Sequence, residues 1–355
     1  MRVLVINPGA TSTKVAVFLD GKPEHQSTIE HPYDIIKAFG HVNDQIDYRL
    51  NAVHAWLESL GLKPTDLAGV AGRGGLIRHV ASGTYEIDQQ AVEDALTGRQ
   101  HPANLGIVLA DKIAKEAGIK AFFSDPVATD EWPDFVHLSG FAPVDRECNF
   151  HALNQKAMAK KAAEHLGIAY EDARLIVIHL GGGVSVAAHD KGRIVDVFNV
   201  MDEGAFALNR SGSIPVVGLV EYCFSGLTKK EALANLQTRG GFLSYLGTQD
   251  FREIEKMIQD EDPLAIKVYT AFLWQMRKDV GAMSGVLGFE VDAVVLTGGM
   301  ANSKMIQQDL TSYLEPLAPV LILPGEREME ALAEGAFYAL QHGGKSYAGS
   351  IKTDL

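Results

Sequence analysis

The sequence is poor in features that define several large classes of protein. It has two cysteines among 355 residues, Cys148 and Cys223, which lie far apart and outside any Cys-x-x-Cys motif. A disulfide framework is therefore excluded, and a reducing compartment is expected. No pair of histidines has zinc-site spacing, and no Gly-x-Ser-x-Gly elbow is present. Neither a zinc enzyme nor a serine hydrolase is indicated.

Positive charge is also scarce. The chain carries 32 lysines and arginines against 45 acidic residues, a formal net charge of −13. A protein that binds a phosphate backbone needs a basic face, so we expect no nucleic-acid partner. A small anionic substrate stays possible, because a local cluster of arginine and histidine can override the global sign.

Long hydrophobic runs are absent as well. No stretch approaches the ~20 apolar residues of a membrane span. The first apolar run is interrupted by Asn7-Pro8-Gly9, which predicts that there is no signal peptide. We therefore expect a cytoplasmic protein that does not bind a membrane.

The sequence does contain one weak internal repeat. Residues 3–6, 15–19 and 24–29 have the composition of strands, and the first two are joined by a turn rich in glycine and hydroxyl groups. The same order of strand, glycine-rich turn, strand, turn and strand recurs over residues 174–197. At 46% hydrophobic residues and this length, the chain is predicted to form two similar α/β domains.

Helices and further strands follow each copy of the repeat. Residues 34–60 have helical spacing and end before Gly61. Strands are predicted at 68–72, 121–123 and 291–297, and helices at 229–236, 250–259, 263–287, 302–314 and 328–342.

Three glycine-rich segments are candidates for binding phosphate. The stretch Asn7 to Lys14, "NPGATSTK", fails the Walker A spacing and is followed by a strand, so on its own an ordinary hairpin is favoured. Gly181-Gly182-Gly183 and Gly298-Gly299 each follow a buried strand. Glycine at a strand end permits close approach of the backbone to a ligand, and in open α/β sheets ligands bind at the carboxyl ends of strands.

Two arginines lie among residues too small to pack against them. Arg73 lies in "AGRGG" and Arg210 in "NRSGS". Arginine suits bidentate contact with phosphoryl or carboxylate oxygens, although a surface ion pair explains either residue taken singly.

Histidines and acids give further candidates, each with a structural alternative. His179 ends an apolar strand and could be a core histidine, and His101 and His151 could begin helices. Asp125 follows a short apolar strand, and Glu328 opens the last helix, where acids complement the helix dipole in any case.

Taken together, these motifs resemble one family. "VLVINPGATSTKVAVF", "GRGG", "HPANLG", "SDPVATDEW", "FHALNQKAMAKKAA", "HLGGGVSVAAH", "NRSG", "GGFLSYLGTQD", "LTGGMANSK" and "PGEREMEALAEGA" occur in the order seen in butyrate kinases. These kinases belong to the acetate kinase group of the sugar kinase, Hsp70 and actin superfamily. The resemblance spans nearly the whole chain, and "FHALNQ" joined to "HLGGG" is its most specific part.

The resemblance implies an α/β fold with duplicated ribonuclease-H-like (actin-like ATPase) domains and a nucleotide cleft between them. The N-terminal domain would comprise residues 1–147 plus 329–355, and the nucleotide-binding C-terminal domain residues 148–328. The implied activity is reversible phosphoryl transfer between ATP and butyrate, giving acyl phosphate and ADP, with Mg²⁺. The partners implied are a short-chain carboxylate and further copies of the chain in a dimer or higher oligomer.

The resemblance also assigns roles to residues. Arg73 and Arg210 would clamp the carboxylate and the phosphoryl group, His151 and His179 would donate hydrogen bonds in the transition state, and His101 would support them. Asn7 would position the phosphoryl group or metal, Asp125 would orient arginine or Mg²⁺, and Glu328 would associate with Mg²⁺. The nucleotide would contact Thr11, Ser12, Gly181, Gly182, Gly183, Arg277, Gly281, Gly298, Gly299 and Met300.

Some positions depart from the family pattern. Ala10 stands where serine is common, and residues 201–212 replace a stretch with more proline. Phe150, Phe206 and the small Gly74 and Gly75 are predicted to line the acyl pocket, with glycine leaving room for a longer chain. Isobutyrate or another branched acid is an alternative substrate, and an ATP-switched protein of the actin and Hsp70 kind is the alternative from another class.

Overall fold

The computed structural model describes residues 1–352, and the chain separates into two compact units. Unit 1 comprises Met1–Glu131 together with the C-terminal segment that begins at Arg327, and unit 2 comprises Trp132–Glu326. The domain boundary that the sequence places at 147/148 stays a prediction.

The regular elements alternate between strands and helices along most of the chain. The strands are β1 (Arg2–Pro8), β2 (Ser12–Leu19), β3 (Lys22–Glu30), β4 (Gly69–Gly72), β5 (Thr84–Glu86), β6 (Lys120–Ser124), β7 (Leu138–Phe141), β8 (Val144–Asp145), β9 (Arg174–Leu180), β10 (Val184–Asp190), β11 (Arg193–Val197), β12 (Ala293–Thr297), β13 (Val320–Ile322) and β14 (Lys345–Ser346). The helices are α1 (Tyr33–Ala38), α2 (Ile46–Ser59), α3 (Gln89–Thr97), α4 (Leu105–Ala117), α5 (Ala152–Leu166), α6 (Val216–Cys223), α7 (Lys229–Gln237), α8 (Gly241–Leu246), α9 (Phe251–Gln259), α10 (Pro263–Val286), α11 (Lys304–Leu314) and α12 (Glu328–His342).

The predicted repeat is confirmed by the two main sheets. In unit 1 the strand order is β14-β5-β6-β4-β1-β2-β3, and in unit 2 it is β11-β10-β9-β12-β13. In each sheet a three-stranded antiparallel meander is extended by two strands parallel to its first strand. The five strands β3-β2-β1-β4-β6 therefore correspond one by one to β11-β10-β9-β12-β13.

Helices cover both faces of each central strand, which explains why these strands are continuous apolar runs rather than alternating ones. In unit 1, a Cβ added to Gly69 would meet Leu340 of α12, and one added to Gly72 would meet Ala110 of α4. In unit 2, Leu175 and Val177 pack with α5, whereas Ile176 and Ile178 pack with α10.

One predicted helix is wrong in detail. Residues 34–60 form a short α1, a 3-10 turn at Val42–Gln45 and then α2. The break follows Gly40, and the side chain of Asp44 accepts a hydrogen bond from the backbone N–H of His41, which caps the turn locally. The other predicted elements are confirmed to within three residues at each end. None of the helices in residues 1–352 is long and apolar enough to cross a membrane.

Candidate functional site

Three polar side chains lie at the ends of three neighbouring strands in unit 1. Asn7 is the penultimate residue of β1, Arg73 directly follows β4, and Asp125 directly follows β6. These strands are adjacent and parallel in the sheet. Their carboxyl ends therefore meet at one edge, which is where open α/β sheets bind ligands.

Glu328 joins two of these residues from the first turn of α12. Its Oε2 accepts a hydrogen bond of 2.8 Å from Asn7 Nδ2, and its Oε1 forms an ion pair with Arg73 Nη1. Both charged side chains are buried, with 7% and 11% of their surfaces exposed. Asn7, Arg73 and Glu328 thus form one centre although Glu328 lies far along the chain.

Glycine permits the close packing around Arg73. A Cβ on Gly106 at the start of α4 would lie 2.5 Å from the backbone of Arg73, and one on Gly74 would lie 2.7 Å from Pro126. A Cβ on Gly75 would run into Asn104, whose Oδ1 accepts a hydrogen bond from Leu76 N. A side chain at position 74 or 75 would therefore meet filled space, and the part of these glycines in an acyl pocket stays a prediction.

Asp125 is held in an uncommon backbone conformation, with a φ of 39°. Its Oδ1 accepts hydrogen bonds from Ser82 Oγ (2.7 Å) and Gly83 N (2.8 Å). Within residues 1–352 it makes no ion pair with Arg73. A non-glycine residue in the left-handed region costs free energy, and such residues concentrate at functional sites.

The turn between β1 and β2 is anchored by a buried arginine that the sequence reasoning missed. Arg49 of α2 donates hydrogen bonds to the backbone oxygens of Ser12 (2.8 Å) and Ala10 (3.0 Å) and to Thr13 Oγ1. It is fully buried, and burial lowers the pKa of its guanidinium to about 10. Arg49 lies on the same face of α2 as the buried Val53 and Leu57, and this spacing could have indicated that its side chain is buried. Thr11, a predicted nucleotide contact, is exposed on this turn.

Two histidines are stacked at the corresponding edge of unit 2. The rings of His151 and His179 lie 3.8 Å apart between centroids, with an angle of 17° between their planes. His151 is the N-cap residue of α5 and His179 is the penultimate residue of β9. His179 Nδ1 lies 2.8 Å from Asn154 Oδ1, and Thr297 at the end of β12 donates to the same oxygen over 3.4 Å.

The glycine turn after β9 brings Arg210 close to these histidines. A Cβ on Gly183 would collide with Arg210 Nη1 and Val200, and one on Gly181 would lie 3.1 Å from His179 Nε2. The turn closes on itself through a 3.0 Å hydrogen bond from Gly181 N to Gly183 O. Only glycine at 183 lets the arginine approach the turn so closely.

Arg210 is a half-buried cation without a carboxylate partner among the described residues. Its Nη1 donates to Val200 O over 3.2 Å, and its buried Nε has no hydrogen-bond acceptor. Burial lowers the pKa of its guanidinium. A buried charge is normally paired, so this arginine is in an arrangement that an added anion would stabilise.

The loop that carries Arg210 is fixed by α10. Asp279 accepts a 2.6 Å hydrogen bond from Ala205 N, and Gln275 accepts one of 3.2 Å from Phe206 N. Burial raises the pKa of Asp279 to about 7.

A cavity of about 730 Å³ opens beside the glycine turns of unit 2. Four of the predicted nucleotide contacts line it, namely Gly181, Gly182, Gly299 and Met300. Gly298 directly follows β12 and precedes Gly299, which lines the cavity. Its φ is 90°, and its backbone pairs with that of Gly325. The sequence reasoning missed other lining residues, which include Gln249, Asp250, Arg252, Glu255, Asn302, Ser303 and Glu326.

Two predicted nucleotide residues do not line this cavity. Arg277 of α10 lies over the rings of Trp274 and Tyr313, at 5.5 and 4.3 Å from their centroids. Gly281, one turn further along the helix, is exposed and has no neighbour within 4 Å of an added Cβ. Their predicted contact with adenosine is not supported by the arrangement of unit 2.

The remaining predicted residues are dispersed. Phe150 packs with Trp132 and Cys148, whereas Phe206 packs with Phe242 and Phe272 in a different apolar cluster. Phe206 lines a second cavity of about 760 Å³, not the cavity of the glycine turns. The predicted pairing of these two phenylalanines in one acyl pocket is therefore not found. His101, in unit 1, caps a 3-10 turn by accepting a hydrogen bond from Ala103 N.

A family model described as the acetokinase family matches residues 144–323, just over half of the chain. The chain belongs to the acetokinase family. Members of this family are phosphotransferases that act on a carboxyl group, and the chain is accordingly an ATP-dependent kinase of short-chain carboxylates.

Solved structures of similar fold cover nearly the whole chain. The acetate kinase of Porphyromonas gingivalis aligns with a TM-score of 0.78 at 21% identity over 96% of this chain and 99% of that chain. A propionate kinase from Francisella tularensis aligns with a TM-score of 0.73 at 19% identity, over 94% of this chain and 98% of that chain. The acetate kinase of Entamoeba histolytica aligns with a TM-score of 0.75 at 14% identity, over 95% of this chain and 99% of that chain. The fold is the duplicated actin-like ATPase fold that the sequence predicts.

Proposed function

We propose that this chain is a butyrate kinase that transfers a phosphoryl group reversibly between ATP and butyrate. The observation that carries the proposal is Arg210, a half-buried cation beside a glycine turn with no carboxylate partner in residues 1–352. Such a group is suited to an anion that arrives with the substrates. Isobutyrate or another branched acid is the alternative substrate.

Phosphoryl transfer to a carboxylate requires stabilisation of the negative charge in the transition state, and it does not require a strong base. The carboxylate is ionised at neutral pH, so one of its oxygens can form the new P–O bond while the bond between the γ-phosphorus and the β,γ-bridging oxygen breaks and ADP leaves. The transition state spreads negative charge over three equatorial oxygens. We assign the stabilisation of these oxygens to Arg73, Arg210, His151 and His179, which supply N–H donors and positive charge.

The residues of unit 1 are suited to hold Mg²⁺. Asn7, Glu328 and Asp125 offer amide and carboxylate oxygens, the donors that this ion prefers, and Mg²⁺ is typically held by one or two carboxylates together with substrate phosphates. In the described part of the chain, no group of three or more His, Cys, Asp or Glu side chains is placed to hold a metal ion by itself. Bound there, Mg²⁺ would neutralise charge on the phosphate oxygens.

The test is an assay for acyl phosphate. The purified protein is incubated with ATP, Mg²⁺ and one acid at a time from acetate to hexanoate, including isobutyrate, and acyl phosphate is trapped with hydroxylamine. We expect the highest kcat/KM with butyrate and modest discrimination, since each buried methylene contributes only about 0.8 kcal/mol. A folded protein that forms no hydroxamate with any of these acids would contradict the proposal, and slow ATP hydrolysis indifferent to carboxylates would favour a nucleotide-switched protein instead.

We also propose a cytoplasmic homo-oligomer. Neither Cys148 nor Cys223 is in a disulfide, which suits a reducing compartment. Helix α6 is apolar but has no buried residue, and Val216, Val217 and Phe224 are 73%, 73% and 87% exposed. A second copy would remove this surface from water. Light scattering should give a mass of at least two chains, and Val217→Glu should lower it towards one.

A further inference from the structure

A continuous chain of hydrogen bonds leads through the interior of unit 2 to His151. Tyr170 Oη lies 2.9 Å from His189 Nδ1, and His189 Nε2 lies 3.2 Å from Gln155 Oε1. Gln155 Nε2 lies 3.1 Å from Ser185 Oγ, which in turn lies 3.1 Å from His151 Nδ1. His189, Gln155 and Ser185 are fully buried, so water cannot substitute for any of these contacts.

The orientation of the Gln155 side-chain amide determines which atoms donate and which accept along this series of hydrogen bonds. Its Nε2 lies 3.2 Å from two backbone oxygens, those of Val177 and Ser185. Backbone carbonyls can only accept hydrogen bonds, so the side-chain NH₂ must face them and the Oε1 must face His189. The opposite amide orientation would place three oxygens together in a buried site, which is costly.

The other protons follow from this orientation. Because Gln155 Oε1 accepts, His189 must carry a proton on Nε2. Burial holds the pKa of His189 well below its ordinary value, so the ring is neutral and its Nδ1 accepts from the hydroxyl of Tyr170. On the other side, Ser185 Oγ lies 3.1 Å from Gln155 Nε2 and 3.1 Å from His151 Nδ1. The amide nitrogen of Gln155 cannot accept a hydrogen bond, so the hydroxyl hydrogen of Ser185 turns towards His151 Nδ1.

We propose that Tyr170, His189, Gln155 and Ser185 are positioning residues that fix His151 as a neutral ring with its proton on Nε2. The proposal rests on the role in phosphoryl transfer proposed above for His151. In this tautomer His151 presents an N–H donor, and it donates to a phosphoryl oxygen without first taking up a proton. The stacked ring of His179, 3.8 Å away, adds to this preference because two positive charges at that separation repel.

The first experiment observes the tautomer directly. In protein labelled with ¹⁵N-histidine, the His151 resonances are assigned from the spectrum of His151→Gln, and the nitrogen shifts show which ring nitrogen carries the proton. We expect Nε2 protonated and Nδ1 unprotonated in the protein without substrates. A proton on Nδ1 would overturn the proposal. This result does not depend on activity, so it separates the present inference from the proposed function.

The second experiment measures turnover in variants of the chain of hydrogen bonds. Ser185→Ala removes the link to His151, and Gln155 keeps its two backbone acceptors, so the fold should persist. Loss of a partner behind a working imidazole typically costs about 10- to 100-fold, and we expect kcat to fall by about tenfold with KM nearly unchanged. Ser284→Ala is the matched control, since Ser284 is also buried in unit 2 and its hydroxyl has no hydrogen-bond partner in the described residues.

Tyr170→Phe tests action at a distance from His151. Alone, it should lower kcat by a smaller factor than Ser185→Ala. Combined with Ser185→Ala, it should not lower kcat further, because the series of hydrogen bonds to His151 is already interrupted at Ser185. Additive effects on kcat, or a fall in kcat that only follows loss of stability in urea unfolding, would contradict a positioning role.

Discussion

The two units place different groups at the same strand ends. In unit 1 the ends of β1, β4 and β6 carry Asn7, Arg73 and Asp125, whereas in unit 2 the equivalent ends of β9, β12 and β13 lead into Gly181, Gly298 and Gly325. One edge carries polar and charged side chains, and the other carries glycines whose backbone N–H groups form hydrogen bonds with one another and with Gly183. The two copies of the sheet therefore differ at equivalent strand ends, one in its side chains and the other in its glycine-rich turns.

The two arginines differ in the same way. Arg73 is balanced by Glu328, and Arg210 has only a backbone oxygen of Val200 as a partner in residues 1–352. A helix contributes to each centre, since Glu328 opens α12 and Asn154 lies in the first turn of α5. The helix residue is therefore a carboxylate that pairs with the arginine in unit 1, whereas in unit 2 it is a neutral amide beside His179.

Removing each arginine should give the largest effects and should separate the two centres. Arg73→Ala and Arg210→Ala should both lower kcat by on the order of 10²–10³, the cost of losing a transition-state donor. Only Arg73→Ala should also destabilise the fold, by about 3 kcal/mol, because it leaves the Glu328 carboxylate buried without its cation. Steady-state kinetics and urea unfolding measure both quantities. Wild-type turnover in either variant, or equal losses of stability, would contradict the comparison.

The glycine edge of unit 2 can be tested at Gly183. Gly183→Ala places a methyl group against Arg210 and Val200, and a displaced catalytic group typically costs on the order of 10- to 100-fold in kcat. Gly285→Ala in α10 is a suitable control, since an added Cβ there would have its nearest neighbour, the ring of Phe289, at 4.0 Å. If Gly183→Ala retained full activity, the close approach of Arg210 to the turn would not be required for activity.

The β1–β2 turn of unit 1 depends on Arg49, whereas the turn of unit 2 closes through its own backbone. Arg49→Met should leave three acceptors around the turn without this donor, one buried and two partly buried, and a buried group left without its partner costs about 1–3 kcal/mol. We therefore expect the free energy of unfolding to fall by at least about 2 kcal/mol. Chemical denaturation measures this, and an unchanged midpoint would show that the turn holds its shape without the arginine.

The smallest expected effect concerns pH and Asp279. Its pKa in the folded protein is raised by burial to about 7, above the ordinary carboxyl value of about 3.9. The folded state therefore binds more protons between these values, and stability falls as pH rises through this window and levels off above it. Asp279→Asn keeps an oxygen acceptor for Ala205 N and removes the charge. Between pH 5 and 8 the Tm of the wild type should fall relative to that of Asp279→Asn, and parallel Tm profiles would contradict the shift.

Much of this fold could be predicted from the sequence because its signals are local. The apolar runs of β1 and β9 and the glycines that end them are contiguous, and the order of strands and turns repeats. The break in the 34–60 segment escaped the periodicity because the apolar spacing continues across Gly40 while a 3-10 turn with its own cap interrupts the helix.

The candidate site was harder to predict because it depends on distant pairs. Asn7, Arg73 and Glu328 were assigned by resemblance, but nothing local indicates that Glu328 bonds both of the others. The link from Gln155 through Ser185 to His151 crosses from a helix to a strand 30 residues away, and no periodic pattern reports it. Arg277 was placed near adenosine by its order in the chain, which stays a prediction, and that order does not indicate its contact with the rings of Trp274 and Tyr313.

The position of Glu328 in the chain also bears on biosynthesis. Unit 2 is one uninterrupted segment, whereas the centre of unit 1 draws Asn7 and Arg73 from the start of the chain and Glu328 from near its end. At ~5–20 residues per second, the ribosome needs on the order of ten seconds to a minute to pass from Arg73 to Glu328. During that interval the nascent N-terminal sheet lacks both α12 and the counter-charge of Arg73. We therefore expect unit 2 to complete its folding first, and unit 1 to reach its final state only after α12 has been synthesised.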